Sequence, residues 1–123
     1  MIDGILRSNI LIIESNNIVS FSIKKTLADL FPDITIKRTL YDSMDFIKAN
    51  RIRCIIATKE ILMENGQFYN IHNHLIKKGI PIIFMTIEGM EDTPYDLNII
   101  DVIQKPFDPQ YLSNRLKEFH LSN

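Results

Sequence analysis

No stretch of this chain restricts its fold more than Arg53 to Thr58, RCIIAT. Cys54, Ile55, Ile56 and Ala57 follow one another without a polar break, and so short a run rich in β-branched residues predicts a strand buried on both faces. A strand of that kind belongs in the middle of a sheet. In open α/β sheets the functional groups gather just beyond the carboxyl ends of the strands, so Thr58, Lys59 and Glu60 limit what this domain can do. That end carries a hydroxyl and no aspartate.

Strands and helical stripes alternate on either side of it. Asn9 to Ile13, NILII, is another continuous apolar strand, and Glu14, Ser15, Asn16 and Asn17 follow as polar loop and helix-cap material. Val19, Ile23, Leu27 and Leu30 recur at helical spacing until Pro32 ends the pattern. Ile34 and Ile36 alternate with Thr35 and Lys37, which predicts a half-exposed strand near an edge. Tyr41 to Asn50 reads as a second helix with Met44 and Ile47 inward. The central strand leads through Lys59 to Asn65 into Gly66, after which Phe68, Ile71 and Leu75 mark a helix that Gly79 closes as a left-handed cap. Pro81 to Thr86, PIIFMT, is a fourth strand and Asp101 to Gln104 a fifth. Asp108 and Pro109 open the last helix as N-cap and first-turn proline, with Leu112, Leu116 and Phe119 as its apolar stripe. Gly89 and Pro94 leave room between Ile87 and Ile100 for only a short or irregular fourth helix. This order predicts an α/β domain with a parallel sheet and helices on both faces.

Length and charge narrow the function. A chain of 123 residues that is 46% hydrophobic supports one core and not two, so a single domain over 1–123 is expected. With 14 basic against 15 acidic residues, bulk charge does not hold it to nucleic acid or to an anionic membrane. Lys24 with Lys25, and Lys77 with Lys78, read as solvated helix faces. The single cysteine, Cys54, excludes an internal disulfide and fits a reducing compartment, and its place in the apolar strand makes it an inert buried thiol. No apolar run approaches membrane-spanning length, and a cytoplasmic location is expected.

NILIIES at Asn9 to Ser15, IPIIFMT at Ile80 to Thr86, DVIQKPF at Asp101 to Phe107 and the Asn65-Gly66 pair resemble the receiver domain of bacterial two-component response regulators. The resemblance covers nearly the whole chain. It implies a flavodoxin-like, CheY-like doubly wound domain, with a five-stranded parallel sheet in the order 2-1-3-4-5 and five helices. It also implies a cis peptide bond between Lys105 and Pro106, and a place in signal transduction beside partners such as a histidine kinase or an output protein. A monomer or weak homodimer is expected.

The matched residues depart from an active receiver, which needs an acidic pair after the first strand for Mg²⁺ and an aspartate after the third to accept phosphate. The acidic pair falls on Glu14 and Ser15, and the acceptor on Thr58 or, with a slip of one, on Lys59. Thr86 and Lys105 stand where the family has its signalling hydroxyl and phosphate-pairing lysine. Val102 takes the place of the switch aromatic. A pocket with Glu14 as its one assured carboxylate holds Mg²⁺ weakly, and a neutral threonine needs a general base before it can act as a nucleophile. No catalytic residue, cofactor or resident metal is therefore expected, and the sequence reads as a degenerate pseudo-receiver that binds protein without phosphorylation.

Other residues are read more plainly. Lys105 needs a counter-charge, and Glu14 is the natural partner in a structural ion pair. Glu60 is read as a solvated loop charge, and His72, His74 and His120 as surface residues. Ser15 to Asn17 lacks the glycines of a phosphate loop and serves as a helix cap. Met90, Tyr95, Tyr111 and Arg115 are the candidates for a partner-binding face. The alternative reading is a flavodoxin-like pocket at the strand ends for FMN, a nucleotide or an unusual phosphodonor.

Overall fold

The computed structural model describes residues 9–63, 71–87 and 96–118. Strands β1 (Asn9–Ile13), β2 (Ile34–Lys37), β3 (Ile52–Thr58), β4 (Ile82–Thr86) and β5 (Ile99–Gln104) form one parallel sheet in the order β2-β1-β3-β4-β5. The described residues also form five helices: α1 (Asn17–Leu27), α2 (Leu40–Ala49), α3 (Lys59–Leu62), α4 (His72–Lys78) and α5 (Pro109–Glu118). This is the flavodoxin-like winding expected from the sequence. Strand order reverses between β1 and β3, so the crevice beyond their carboxyl ends is where such a sheet builds its site.

β3 is central because its side chains serve two cores. Ile55 and Ala57 join Leu11, Ile13 and Phe84 beneath α2, α3 and α4. Cys54 and Ile56 join Ile10, Ile12, Ile83 and Met85 beneath α1 and α5. A strand covered on both faces has no water to solvate a polar side chain along its middle, which is why no charged or hydroxyl side chain lies between Arg53 near its start and Thr58 at its end. The Cys54 thiol is fully buried, and desolvation pushes its pKa well above the usual range, which leaves it inert. β2, at the edge, buries only Ile34 fully.

Local signals set the helix ends. Asn16 Oδ1 accepts from the backbone N–H of Ile18 at 2.9 Å and of Val19 at 3.2 Å, capping α1 without a ligand. Thr39 caps α2 by accepting from Asp42 N–H at 3.0 Å, and Asp108 Oδ1 accepts from Gln110 N–H at 2.9 Å ahead of α5. Gly79, at φ 63°, ends α4 in the left-handed region. The Lys105–Pro106 bond is cis.

The structure corrects three boundaries. α1 stops at Leu27, and the buried position beyond it belongs to Phe31, whose N–H donates to Leu27 O, while Leu30 is half-buried. Lys59 to Leu62 is helix and not loop, with Leu62 drawn into the core. β5 begins at Ile99, two residues ahead of Asp101. Gly66, Phe68, Met90, Tyr95, Phe119, His120 and most of the expected fourth helix lie outside the described residues. No helix among the described residues is long and apolar enough to cross a membrane.

Two-faced burial of β3 makes Ile56→Ala costly, by about 2–5 kcal/mol, whereas Asn16→Ala removes only a cap and costs about 1 kcal/mol. Urea unfolding checks both. A cost below about 1 kcal/mol for Ile56→Ala contradicts the central placement of β3.

Candidate functional site

Parallel pairing brings three chain segments to one point. Ile13 pairs with Ala57 and Thr58 with Met85, so the residues just past β1 and at the end of β3 lie side by side. Lys105 follows β5, and its backbone N–H donates to Thr86 O at 2.9 Å, which fixes where its side chain begins. The Glu14 side chain is only 2% exposed. Lys105 Nζ donates to Glu14 Oε1 at 2.5 Å, Thr58 Oγ1 donates to the same oxygen at 2.8 Å, and Asn16 N–H donates to Oε2 at 3.0 Å. Lys105 Nζ also lies 2.9 Å from Thr58 Oγ1 and donates to it.

These contacts set the ionisation of Glu14. Burial pushes its pKa up, but the Asn16 N–H, the Lys105 ammonium and the Thr58 hydroxyl together outweigh burial and hold the carboxyl below its ordinary 4.5. Thr58 does have a neighbour that accepts its proton, yet a carboxylate with a lowered pKa is a poor general base. The arrangement suits a stable ion pair better than an activated nucleophile.

A second contact lies beside the first. Thr86, fully buried at the end of β4, donates from Oγ1 to Glu60 Oε2 at 2.6 Å. Glu60 is thus not a solvated loop charge. Helix α3 starts directly after Thr58, with Lys59 and Leu62 buried in its turn, and this places Glu60 over the end of β4 instead of in a loop.

The remaining candidates are scattered. Ser15 is exposed and Lys59 is buried at the start of α3. Val102 is half-buried opposite Phe84 and packs on the core beneath α2, α3 and α4. Tyr111 stands 48% exposed on α5. Arg115 is committed within the fold: its Nε donates to Asp101 Oδ2 and its Nη1 to Glu118 Oε2, each at 2.7 Å. His72 is also not a plain surface residue, since Nε2 lies 3.0 Å from Asp96 Oδ2 across the start of α4. His74 is half-buried. Pairs such as Glu60 with Thr86 and His72 with Asp96 link residues 26 and 24 positions apart, and no local pattern announces them.

The donor set does not fit Mg²⁺. A hard divalent cation wants several free oxygen ligands, and the Glu14 carboxylate already accepts three donors, one of them a cation. Among the described residues no group of three or more His, Cys, Asp or Glu side chains is placed to hold a metal ion.

No protein-family model matches the chain, and no curated protein matches it either. Solved structures do. A signal receiver domain from Vibrio parahaemolyticus superposes with a TM-score of 0.75 at 22% identity, covering 94% of this chain and 90% of that one. The signal receiver domain of an HD domain-containing protein from Pseudomonas fluorescens Pf-5 gives 0.75 at 17% identity, over 94% and 97%. A CheY-like response regulator receiver domain protein from Methanospirillum hungatei JF-1 gives 0.75 at 18%, over 91% and 92%. This chain has the receiver-domain fold. Identities this low establish the architecture and leave the pocket to be judged on its own residues.

The pKa of Glu14 links the pair to stability. Because the folded value is lowered, Glu14 stabilises the fold fully above its ordinary pKa, and this contribution is lost as pH falls through the lowered value. Carboxyl-detected NMR should find Glu14 titrating below 4.5, and Lys105→Met should move the midpoint upward. A wild-type midpoint at or above the ordinary value contradicts the pairing.

Proposed function

We propose that this chain is an atypical receiver domain that acts in signal transduction by binding protein without being phosphorylated. One observation carries the reading: the groups that would grip a phosphoryl group already grip side chains. Lys105 holds Glu14 and Thr58, and Thr86 holds Glu60. The position matching the acceptor is Thr58, or Lys59 with a slip of one, and neither side chain yields an acyl phosphate. On this reading the domain is not an enzyme and works in the cytoplasm beside a kinase or an output protein.

Val102 at the switch position, packed in place, leaves the face of β5 and α5 in one conformation. The clasp of Arg115 on Asp101 joins those two elements and adds to that rigidity. A fixed face still binds, and Tyr111 offers an exposed aromatic there. The alternative of a flavin or nucleotide site at the strand ends draws less support. The groove beside Lys105 measures about 260 Å³ and is lined chiefly by Ile18, Val19, Ile23, Pro106, Phe107 and Pro109. That is smaller than a typical ligand pocket.

Incubation with phosphoramidate and Mg²⁺ should leave the intact mass unchanged. An added phosphate that alkali removes, as it removes an acyl phosphate, overturns the proposal. Tyr111→Ala should reduce the yield of the partner that the wild-type protein retains from its source cells. Undiminished retention by the folded variant puts the binding surface elsewhere.

A further inference from the structure

The opposite end of the sheet holds a second feature. At the amino end of β3, a cavity of about 570 Å³ opens between the last turns of α2 and α4, lined by Lys48, Ala49, Asn50, Arg51, Ile52, His74, Lys78 and Ile80. Lys48, Arg51 and Lys78 put three cations on its wall, and His74 adds a fourth nitrogen donor. Among the described lining residues none is a carboxylate. All three cations are exposed, and no ion pair joins any of them to an acid among the described residues. The chain as a whole is balanced at a net charge of -1, so this is local segregation of charge and not a basic composition.

Part of the cluster has an ordinary cause. Lys48 and Lys78 lie in the last turns of α2 and α4, where cations offset the negative end of the helix dipole. That cause does not reach His74, which lies near the start of α4, while Arg51 stands one residue past the cap of α2. Two helix ends carry about half a negative charge each at most, which three full positive charges exceed.

We propose that this cavity binds a nucleoside polyphosphate, at a site distinct from the strand-end pocket. Its volume lies within the range of small-molecule sites. Arg51 supplies a planar fork matched to phosphate oxygens, and Lys48 and Lys78 in the same lining add point charges. Ile52 and Ile80 are its buried apolar lining, and Asn50, whose side-chain amide donates to Phe46 O at 3.0 Å, offers its Oδ1 as an acceptor for a base.

Titration of the full chain with ATP, followed by calorimetry and by amide NMR shifts, tests this. ATP should bind saturably, with shifts centred on residues 48–52 and 74–80, and adenosine should not bind. Arg51→Glu and, separately, Lys78→Glu should each weaken ATP at least about tenfold while the fold is retained by circular dichroism. The control Lys24→Glu, on the exposed face of α1, should leave affinity unchanged. Absence of saturable ATP binding, or equal weakening by Lys24→Glu, overturns the proposal.

Discussion

A carboxylate that is almost wholly shielded from water must be matched by donors, and the polar end of this sheet is arranged around that demand at Glu14. Three donors meet it, from β3, from the loop after β1 and from the loop after β5. The neutral Thr58 matters as much as the charged Lys105. A carboxylate at that place would set two negative charges against one ammonium, whereas a hydroxyl leaves one of each and donates to the carboxylate as well. The pocket is thereby neutral, and its hydrogen bonds are made from within.

The same logic explains why the ends of the sheet differ. At the carboxyl ends, buried polar groups find partners across the sheet, since parallel pairing sets Glu14 beside Thr58 and the long Lys105 side chain reaches both from beyond β5. At the amino end of β3, the chain turns through Asn50 and Arg51 in water, and exposed cations there need no internal partner. Burial settles the first set of charges; solvent tolerates the second. The pocket at the carboxyl ends is filled by its own side chains, while the amino end of β3 presents an open, charged surface.

Much of this architecture is legible in the sequence because its physics is local or periodic. Unbroken apolar runs at Asn9 to Ile13 and Cys54 to Ala57 announce buried strands, and Asn16, Gly79 and Asp108 announce helix ends. The Glu14–Lys105 pair follows from the cost of an unpaired ammonium once the fold is known. Glu60 is different: its direction depends on α3 beginning without a loop, which in turn depends on Leu62 reaching the core. His72 with Asp96 and Arg115 with Asp101 are meetings of surface elements that no period encodes. Tertiary geometry alone decides them.

Glu14 and Lys105 act as one unit, and a double-mutant cycle of Glu14→Gln and Lys105→Met, followed by urea unfolding at neutral pH, measures that coupling directly. A favourable coupling of at least about 1 kcal/mol is expected, within the range seen for directly paired groups, with the double variant more stable than the two single losses would add up to. Additive losses, with no coupling beyond about 0.3 kcal/mol, would contradict it.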